Sequence, residues 1–348
     1  MRREEKVYGL DMGESGLRVA SLVRTGEGLN LESLFFRDFP LRQEPIDHPT
    51  LMQTLQELKK DLTSETEEVS AIVNLYGTEP IIKFITLPYM PDDELNKTVK
   101  YQAQRFIVYD LEKMIIDYAV MNTFEEEKVK KINLALAATT KEAVYKQVEI
   151  LKGAGFVPLA ISVDCLAQFY LAREQGIFKT NGVVCFIDLG AKKAVIQIID
   201  GGIPRFHRVC STIGSWEINK VLKNTLKVNW EEAEKIKREF SLGLPEQEEY
   251  RMIIEKVMED ILIEIKRSLD YYIDISPQKT VERIILTGGG ALLYNLDAYL
   301  KQHLEITVER FDPFKNINFS EKIKAIRPTP KDSLRFVTVM GLALEALG

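Results

Sequence analysis

Short apolar runs that end in glycine-bearing turns recur along this chain. Three stand out: residues 7–10 before Asp11-Met12-Gly13, residues 183–187 before Asp188-Leu189-Gly190, and residues 283–286 before Thr287-Gly288-Gly289-Gly290. A run of four or five apolar residues stopped by glycine predicts a buried strand that enters a tight turn. A second apolar strand follows the first two turns, at residues 17–22 and 194–199, so both segments predict β-hairpins.

Apolar residues spaced three and four apart predict helices between the strands. Leu51, Leu55, Leu58 and Leu62 show this spacing. Further helices are expected at residues 91–106, 140–153, 166–175, 216–226, 230–240, 252–272, 292–303 and 334–346. Further strands are expected at residues 29–38, 69–75, 81–87, 114–123, 132–139, 157–163, 203–209 and 305–308. This alternation predicts an α/β protein.

Residues 81–155 form a separate segment within this pattern. They predict the order strand, helix, strand, strand, helix, with a solvated hairpin tip at residues 125–131. We therefore expect a compact α+β unit inserted into the first half of the chain.

The two hairpin turns share an aspartate two residues before a glycine: Asp11 with Gly13, and Asp188 with Gly190. Asp-x-Gly is also an ordinary turn sequence, but two copies followed by a third, glycine-rich turn favour a ligand site. Glycine lets the backbone approach a ligand closely, and successive N–H groups form a nest for anions. A carboxylate beside a phosphate needs a cation between them, and Mg²⁺ binds phosphates together with one or two carboxylates. The pattern predicts phosphate binding with Mg²⁺ at Asp11 and Asp188.

Two common nucleotide-binding motifs do not occur in the sequence. Neither Gly-x-x-x-x-Gly-Lys-[Ser/Thr] nor Gly-x-Gly-x-x-Gly is present, which disfavours P-loop and dinucleotide-binding folds.

Composition narrows the function classes. The 348 residues carry 46 Lys and Arg against 52 Asp and Glu, a net charge of −6, which argues against a general nucleic-acid binder. Three cysteines and three histidines show no metal-binding or redox spacing, so reduced cysteines in a cytoplasmic protein are expected. There is no signal-peptide pattern, no apolar run of about 20 residues, and no basic amphipathic tail. Any membrane association is therefore expected to pass through a partner.

Several short motifs spread over almost the whole length carry a family resemblance. They are Gly9-Leu10-Asp11-Met12-Gly13, Leu87-Pro88-Tyr89-Met90 with Glu94-Leu95, Asp117-Tyr118, Ala154-Gly155-Phe156, Val163-Asp164, Ile187-Asp188-Leu189-Gly190-Ala191, Thr287-Gly288-Gly289-Gly290-Ala291, Asp312-Pro313-Phe314 and Gly341-Leu342-Ala343-Leu344. With them the chain resembles the PilM family, actin-like cytoplasmic proteins of type IV pilus assembly that are similar to the cell-division protein FtsA.

The resemblance implies a two-domain actin-like (ribonuclease-H-like) ATPase fold with the inserted small subdomain of FtsA and PilM. On this basis the first domain is expected at residues 1–80, 156–180 and 331–348, and the inserted subdomain at 81–155. The second domain is expected at 181–330, with a small helical subdomain at about 215–280.

The resemblance also implies one ATP with Mg²⁺ in the cleft between the domains. The implied cofactor-binding residues are Asp11, Gly13, Glu14, Ser15, Arg18, Asp188, Gly190, Ala191, Lys192, Gly214, Glu234, Lys237, Gly288, Gly289 and Gly290, with Asp11 and Asp188 near the metal. Read without the resemblance, Glu234 and Lys237 would belong to a solvated helix face. Asp164 marks the first crossing between the domains, and Gly341 marks the second, where a small residue would let two helices pack closely.

The implied partner is the N-terminal cytoplasmic peptide of PilN, a bitopic inner-membrane protein, with the pilus motor ATPases and self-association as further possibilities. The protein would thus be peripheral to the inner membrane. The candidates for a peptide groove are Phe84, Leu87, Met90, Tyr101, Phe106 and Tyr109, each of which has a place in the core as its alternative.

Three departures from the family pattern bear on catalysis. Lys192-Lys193-Ala194 replaces the usual Thr or Ser after the second hairpin, Trp216 follows Gly214-Ser215, and Arg18 replaces a lysine. We expect ATP binding with slow or absent hydrolysis, for which Asp164 is the candidate catalytic residue and Gln168 a weaker one. The alternatives are a nucleotide-free scaffold, an FtsA-like filament former, and a small-molecule kinase of the sugar-kinase branch.

Overall fold

Two α/β domains and a small three-stranded sheet make up the computed structural model of this protein. It describes residues 6–41, 45–63, 67–178, 182–241, 248–276, 279–320, 323, 328–329 and 332–348. Among these residues, no helix combines the length and apolarity that crossing a membrane requires.

The first domain is built on a six-stranded sheet. Its strands are β1 (Tyr8–Gly13), β2 (Gly16–Thr25), β3 (Gly28–Asp38), β4 (Val69–Asn74), β8 (Phe156–Ser162) and β14 (Ile317–Phe319), in the order β14-β3-β2-β1-β4-β8. Strands β1 to β3 form the antiparallel meander that the apolar runs predict. Helices α1 (His48–Leu62) and α3 (Lys141–Gly153) cover one face, and α4 (Asp164–Glu174) and α9 (Val337–Glu345) cover the other.

The second domain has a five-stranded sheet. Its strands are β9 (Val183–Leu189), β10 (Ala194–Asp200), β11 (Ile203–Cys210), β12 (Val281–Thr287) and β13 (Thr307–Arg310), in the order β11-β10-β9-β12-β13. Its helices are α5 (Trp216–Leu226), α6 (Trp230–Ser241), α7 (Glu248–Ile275) and α8 (Leu296–Leu304). Helix α7 turns an apolar face onto the sheet, with Ile254, Ile261 and Ile265 fully or almost fully buried.

The inserted subdomain consists of β5 (Ile81–Pro88), α2 (Asp92–Ala103), β6 (Met114–Glu126) and β7 (Val129–Thr140). Its sheet has the order β5-β7-β6. Leu95, Val99 and Ala103 of α2 pack on one face of this sheet. The other face, with Ile82 and Ala135, joins the core cluster that includes the second domain.

The inserted subdomain differs from the sequence expectation in two ways. Helix α3 packs on the first domain, because Leu151 joins Leu58 and Phe156 in that core. The predicted hairpin tip at residues 125–131 is present, but its turn is shorter than expected: the strands continue to Glu126 and Val129 around a two-residue turn. Glu127 and Lys128 both have positive φ, 51° and 65°, as the tight hairpin turn that matches strand twist requires.

Strand β14 is a further difference. It pairs in parallel with β3, and Ile317 lies opposite Leu29. The chain therefore returns to the sheet of the first domain before residue 331, at which the sequence analysis expected the last segment of that domain to begin. Other differences are at helix ends: α2 stops at Ala103, and α8 begins at Leu296 after a 3₁₀ turn at Gly289–Leu292.

Candidate functional site

A cleft of about 920 Å³ lies between the two domains, where the ends of β1, β9 and β12 meet. It is lined by every residue that the resemblance implied for the cofactor except Gly214, and by Asp164. Gly214 lies behind the second hairpin: a Cβ at this position would be 2.4 Å from the Ala191 carbonyl oxygen. Glycine is thus needed there for close packing of the hairpin on the start of α5.

The first hairpin places an acid and a base side by side. Asp11 and Arg18 are direct neighbours across β1 and β2, and Arg18 Nη1 lies 3.7 Å from Asp11 Oδ2. Arg18 Nη2 lies 3.8 Å from Asp38 Oδ1. Arg18 is buried, and its Nε has no hydrogen-bond partner among the described residues. A buried guanidinium with an unused donor at the cleft wall is suited to an anionic ligand.

Burial and the negative charges of Asp164 and Asp188 together raise the pKa of Asp11 to about 7, against the opposing effect of Arg18. Burial also raises the pKa of Asp188 and of Asp164. Three carboxyl groups whose pKa values are raised by burial therefore share one cleft.

The second hairpin is held by backbone hydrogen bonds. Gly190 N–H donates to the Lys193 carbonyl at 2.9 Å, and the Ser215 and Trp216 N–H groups at the start of α5 donate to the carbonyls of Gly190 and Ala191. These bonds hold the turn of the second hairpin against the start of α5.

Two carboxamides orient the acidic groups, and the second of them, Gln168, also links the two domains. Asn74, at the end of β4, donates to Asp164 Oδ1 at 2.8 Å and accepts from the Met12 N–H at 2.7 Å. Gln168 Nε2 donates to Asp188 Oδ2 at 2.7 Å and to Thr338 Oγ1 at 3.0 Å. Sequence reasoning missed Asn74, whose only signal was a polar residue at the end of a buried strand.

Glu234 and Lys237 are turned into the protein rather than into solvent. Their side chains are 11% and 12% exposed and form an ion pair of 2.6 Å. Asn219 of α5 donates to Glu234 Oε2 at 2.8 Å and accepts from Lys237 Nζ at 2.7 Å. Burial opposes ionisation of both groups, yet Lys237 and the hydrogen bonds of Asn219 and Arg238 keep the pKa of Glu234 below its usual value. The solvated-face interpretation is therefore wrong, and Asn219 is a residue that the sequence analysis missed.

Further aromatic and basic side chains complete the walls of the cleft, among them Trp216 and Lys193, which the sequence analysis noted as departures from the family pattern. Trp216 and Trp230 meet edge to face, with ring centroids 6.0 Å apart and planes at 83°. Arg335, next to α9, pairs with Asp38 across the opening, and Lys193 pairs with Glu79 at 2.6 Å. All of these residues line the cleft.

The donor set fits a magnesium ion that binds to few protein ligands. No group of three acidic, histidine or cysteine side chains that could hold a metal occurs in the part of the chain that the structure describes. Asp11 and Asp188 supply the one or two carboxylates that Mg²⁺ typically takes beside phosphate and water. A bound cation would offset the burial and the carboxylate repulsion that raise the pKa of Asp11.

The groove candidates divide by exposure. Leu87 is buried in the core of the inserted subdomain, with Met90 and Phe106 packed against it, and Phe84 packs toward the second domain. Tyr101 and Tyr109 are 67% and 62% exposed. Only these two aromatic candidates present most of their surface to solvent.

Comparison with known proteins gives the same architecture. A family model described as "Type IV pilus assembly protein PilM" matches residues 9–347. A solved structure of a "PilM-PilN type IV pilus biogenesis complex" aligns with a TM-score of 0.84 and 23% identity over 99% of both chains. The ethanolamine utilization protein EutJ from Carboxydothermus hydrogenoformans aligns at TM-score 0.57 and 16% identity, over 99% of this chain and 90% of its own.

MreB5 of Spiroplasma citri, solved with bound ADP, aligns at TM-score 0.52 and 12% identity, over 98% of this chain and 96% of its own. Together these similarities show the actin-like ATPase fold that the sequence motifs implied.

Proposed function

Because this chain belongs to the family of type IV pilus assembly protein PilM, we propose that it is a cytoplasmic ATP-binding adaptor of the inner-membrane platform that assembles type IV pili. The observation that carries the nucleotide part is the meeting of two Asp-x-Gly hairpins and a triple-glycine turn at one cleft. Its volume of about 920 Å³ lies within the range of ligand pockets for drug-sized molecules and cofactors.

The proposal assigns phosphates to the backbone N–H groups of the two hairpin turns. Arg18 would supply a fixed positive charge at the cleft wall, and its unused Nε–H could donate a hydrogen bond to a phosphate. Asp11 and Asp188 would hold Mg²⁺ through carboxylate oxygens and waters, which neutralises charge on the phosphates. Glu234 and Lys237, held in place by Asn219, would contact the base and ribose at the other end.

Binding rather than turnover is the proposed role of the cleft. Phosphoryl transfer depends on positioning an attacking group. The carboxyl group of Asp164 is oriented by Asn74, and Gln168 is engaged by Asp188, Thr338 and Thr287. With both candidates committed to contacts within the protein, we expect slow or absent hydrolysis.

The partner we propose is the N-terminal cytoplasmic peptide of PilN, through which the adaptor would be coupled to the pilus motors. The similarity of this chain to the PilM–PilN complex supports this choice. We place the peptide beside the inserted subdomain, where Tyr101 and Tyr109 are exposed. Leu87 would act as core beneath the groove.

Calorimetric titration with Mg²⁺-ATP tests the nucleotide part of the proposal. The wild-type protein should bind, and Asp188→Asn should lose binding because it keeps the side-chain shape but removes a carboxylate. Asp200→Asn is the matched control. Asp200 ends β10 in the same sheet, at the end of the strands that faces away from the cleft, and it pairs with Lys279. Binding by neither wild type nor control would leave a nucleotide-free scaffold.

Titration with a synthetic peptide of the PilN N-terminus tests the partner. Tyr101→Ala should weaken peptide binding by about 1–2 kcal/mol, the typical effect of removing an aromatic anchor. Tyr271→Ala is the control, because Tyr271 is comparably exposed but lies on α7 of the second domain. Equal peptide affinities for the two variants would exclude Tyr101 from the groove.

A further inference from the structure

The second hairpin contacts the segment that leads into the inserted subdomain. Lys193, the last residue before β10, donates to Glu79 Oε1 at 2.6 Å. Glu79 lies between β4 and β5, two residues before the subdomain begins. Lys193 is 28% exposed and Glu79 46% exposed. A single ion pair thus joins the turn of the second hairpin to the entrance of the inserted subdomain.

A second contact lies on β11, outside the lining of the cleft. Arg205 of β11 donates to Asn133 Oδ1 of β7 at 2.8 Å. Asn133 also accepts from Thr86 Oγ1 at 2.6 Å and donates to Asn122 Oδ1 at 2.7 Å. The apolar face around Ile82 joins the core cluster that includes the second domain. Two polar contacts therefore join the subdomain and its entrance to the second domain, one at the cleft through Lys193 and one outside it through Arg205.

Lys193 has more than one possible anionic partner. It lines the cleft together with Asp164 and Asp188, and its positive charge lowers the pKa of both carboxyl groups, against the effect of burial. Its backbone is fixed by the bond from Gly190 N–H, so the long side chain can change partner without movement of the turn. A phosphate chain held by the hairpins would bring several negative charges into competition with Glu79.

We propose that Lys193 links phosphate in the cleft to the inserted subdomain, pairing with Glu79 when the cleft lacks phosphate and with the phosphate chain when nucleotide is bound. The inference rests on the proposed function, because it requires a polyphosphate ligand in this cleft. It adds a positioning residue, Lys193, and its counterpart, Glu79, neither of which the family motifs assign.

The coupling must act in both directions. Nucleotide that draws Lys193 away loosens the subdomain entrance, and a ligand that displaces Glu79 frees Lys193 for phosphate. Because both partners are partly exposed, the pair is expected to change affinity by about two- to fivefold. A modulation of that size adjusts binding rather than switching it on or off.

Calorimetry with Mg²⁺-ATP on a double-mutant cycle tests the proposal. Glu79→Gln should raise nucleotide affinity about two- to fivefold, since it releases Lys193. In the Lys193→Met background, the same substitution should change nothing. Glu126→Gln is the matched control: it removes the acid of another exposed ion pair of the subdomain, with Lys131, away from the cleft.

Hydrogen exchange of the nucleotide-free protein gives a second readout. Glu79→Gln should speed amide exchange at the start of β5 relative to wild type. Mg²⁺-ATP should speed exchange there in the wild-type protein but not in Glu79→Gln, which has already lost the ion pair. If Glu79→Gln still raises nucleotide affinity in the Lys193→Met background, the gain comes from removing a negative charge near the cleft, and the proposal is overturned. Unchanged amide exchange in Glu79→Gln would also overturn it. Absence of nucleotide binding in wild type would instead overturn the proposed function and this inference with it.

Discussion

Replacement of Gly341 by alanine tests how closely the two crossing helices are packed. A Cβ at residue 341 of α9 would lie 2.1 Å from the carbonyl oxygen of Ala167 and 2.4 Å from its carbonyl carbon, both in the backbone of α4. Since the obstacle is backbone, no side chain can rotate away. The helices would have to separate by about 1.5 Å to restore ordinary contact distances.

The opposite side of α9 leaves no room for this movement. Gly9 of β1 is so close that a Cβ there would be 2.4 Å from the Ala343 nitrogen. Helix α9 is thus confined between α4 and the first sheet. Overpacking typically costs about 1–3 kcal/mol and occasionally more, and alanine returns about 1 kcal/mol of helix propensity. Because both sides of the helix are blocked, the overpacking cost should lie at the upper end of this range, about 3 kcal/mol. After subtraction of the gain in helix propensity, we expect a net loss of about 2 kcal/mol in the free energy of unfolding.

Urea and thermal unfolding of the nucleotide-free protein, followed by circular dichroism, measure this loss. Because the entropy of unfolding grows with chain length, a change of about 2 kcal/mol corresponds to a melting temperature lower by roughly 3 °C for a chain of this size. Gly26→Ala is the control, because a Cβ there meets no atom within 4 Å. If Gly341→Ala is as stable as Gly26→Ala, the helices separate freely and the packing argument is refuted.

Three other substitutions have expected outcomes. Gly288→Ala should destabilise the fold by about 2 kcal/mol and abolish Mg²⁺-ATP binding in calorimetry, since φ is +83° and a Cβ would lie 2.2 Å from Asp188 Oδ1. Glu345→Gln should stabilise the protein by roughly 1–3 kcal/mol at pH 8 in urea titrations, with no gain near pH 4, because burial raises the pKa of this carboxyl from 4.5 to about 7. Lys237→Met should cost about 2–4 kcal/mol, because Glu234 keeps its buried charge but loses its closest cation.

Each of these predictions has a control variant. Gly289→Ala should cost little, since the nearest atom to a Cβ would be Arg335 Cγ at 3.6 Å. Glu149→Gln, at an exposed position of α3, should show no gain at pH 8. Lys235→Met removes an exposed lysine 3.8 Å from its partner on the same helix as Lys237, and a loss equal to that of Lys237→Met would contradict the buried-pair argument.

The sign of the Glu345 effect follows from where the proton is held. The folded protein binds the proton more tightly than the unfolded chain, so stability from the neutral form is complete below about pH 4.5 and is lost as pH rises through about 7. Glutamine reproduces the neutral form at every pH and can still accept the hydrogen bond from Ser162.

The elements that the sequence predicted best were those with strong local patterns. The Asp-x-Gly turns stop apolar strands at Gly13 and Gly190, so both hairpins could be placed from sequence alone. Helix α5 was predicted over its full length, from Trp216 to Leu226. In these segments the local pattern and the tertiary packing favour the same structure.

The differences arise where distant partners decide. Strand β14 has three residues, too few to show an alternating pattern, and it pairs with a strand from the start of the chain. The apolar stripe of α3 predicts a helix but does not specify which sheet it covers. Burial of Glu234 depends on Asn219, a residue of another helix, and the register of the second hairpin places Lys193 beside Glu79.

The edge-to-face pair of indole rings on the cleft wall gives the protein an intrinsic fluorescent probe of this cleft. The chain contains two tryptophans, Trp216 and Trp230, and both line this one cleft. Light that excites indole alone therefore reports on the surroundings of these two side chains at the cleft wall. Unlabelled protein in a fluorimeter would reveal occupancy of its cleft through the intensity and colour of its emission.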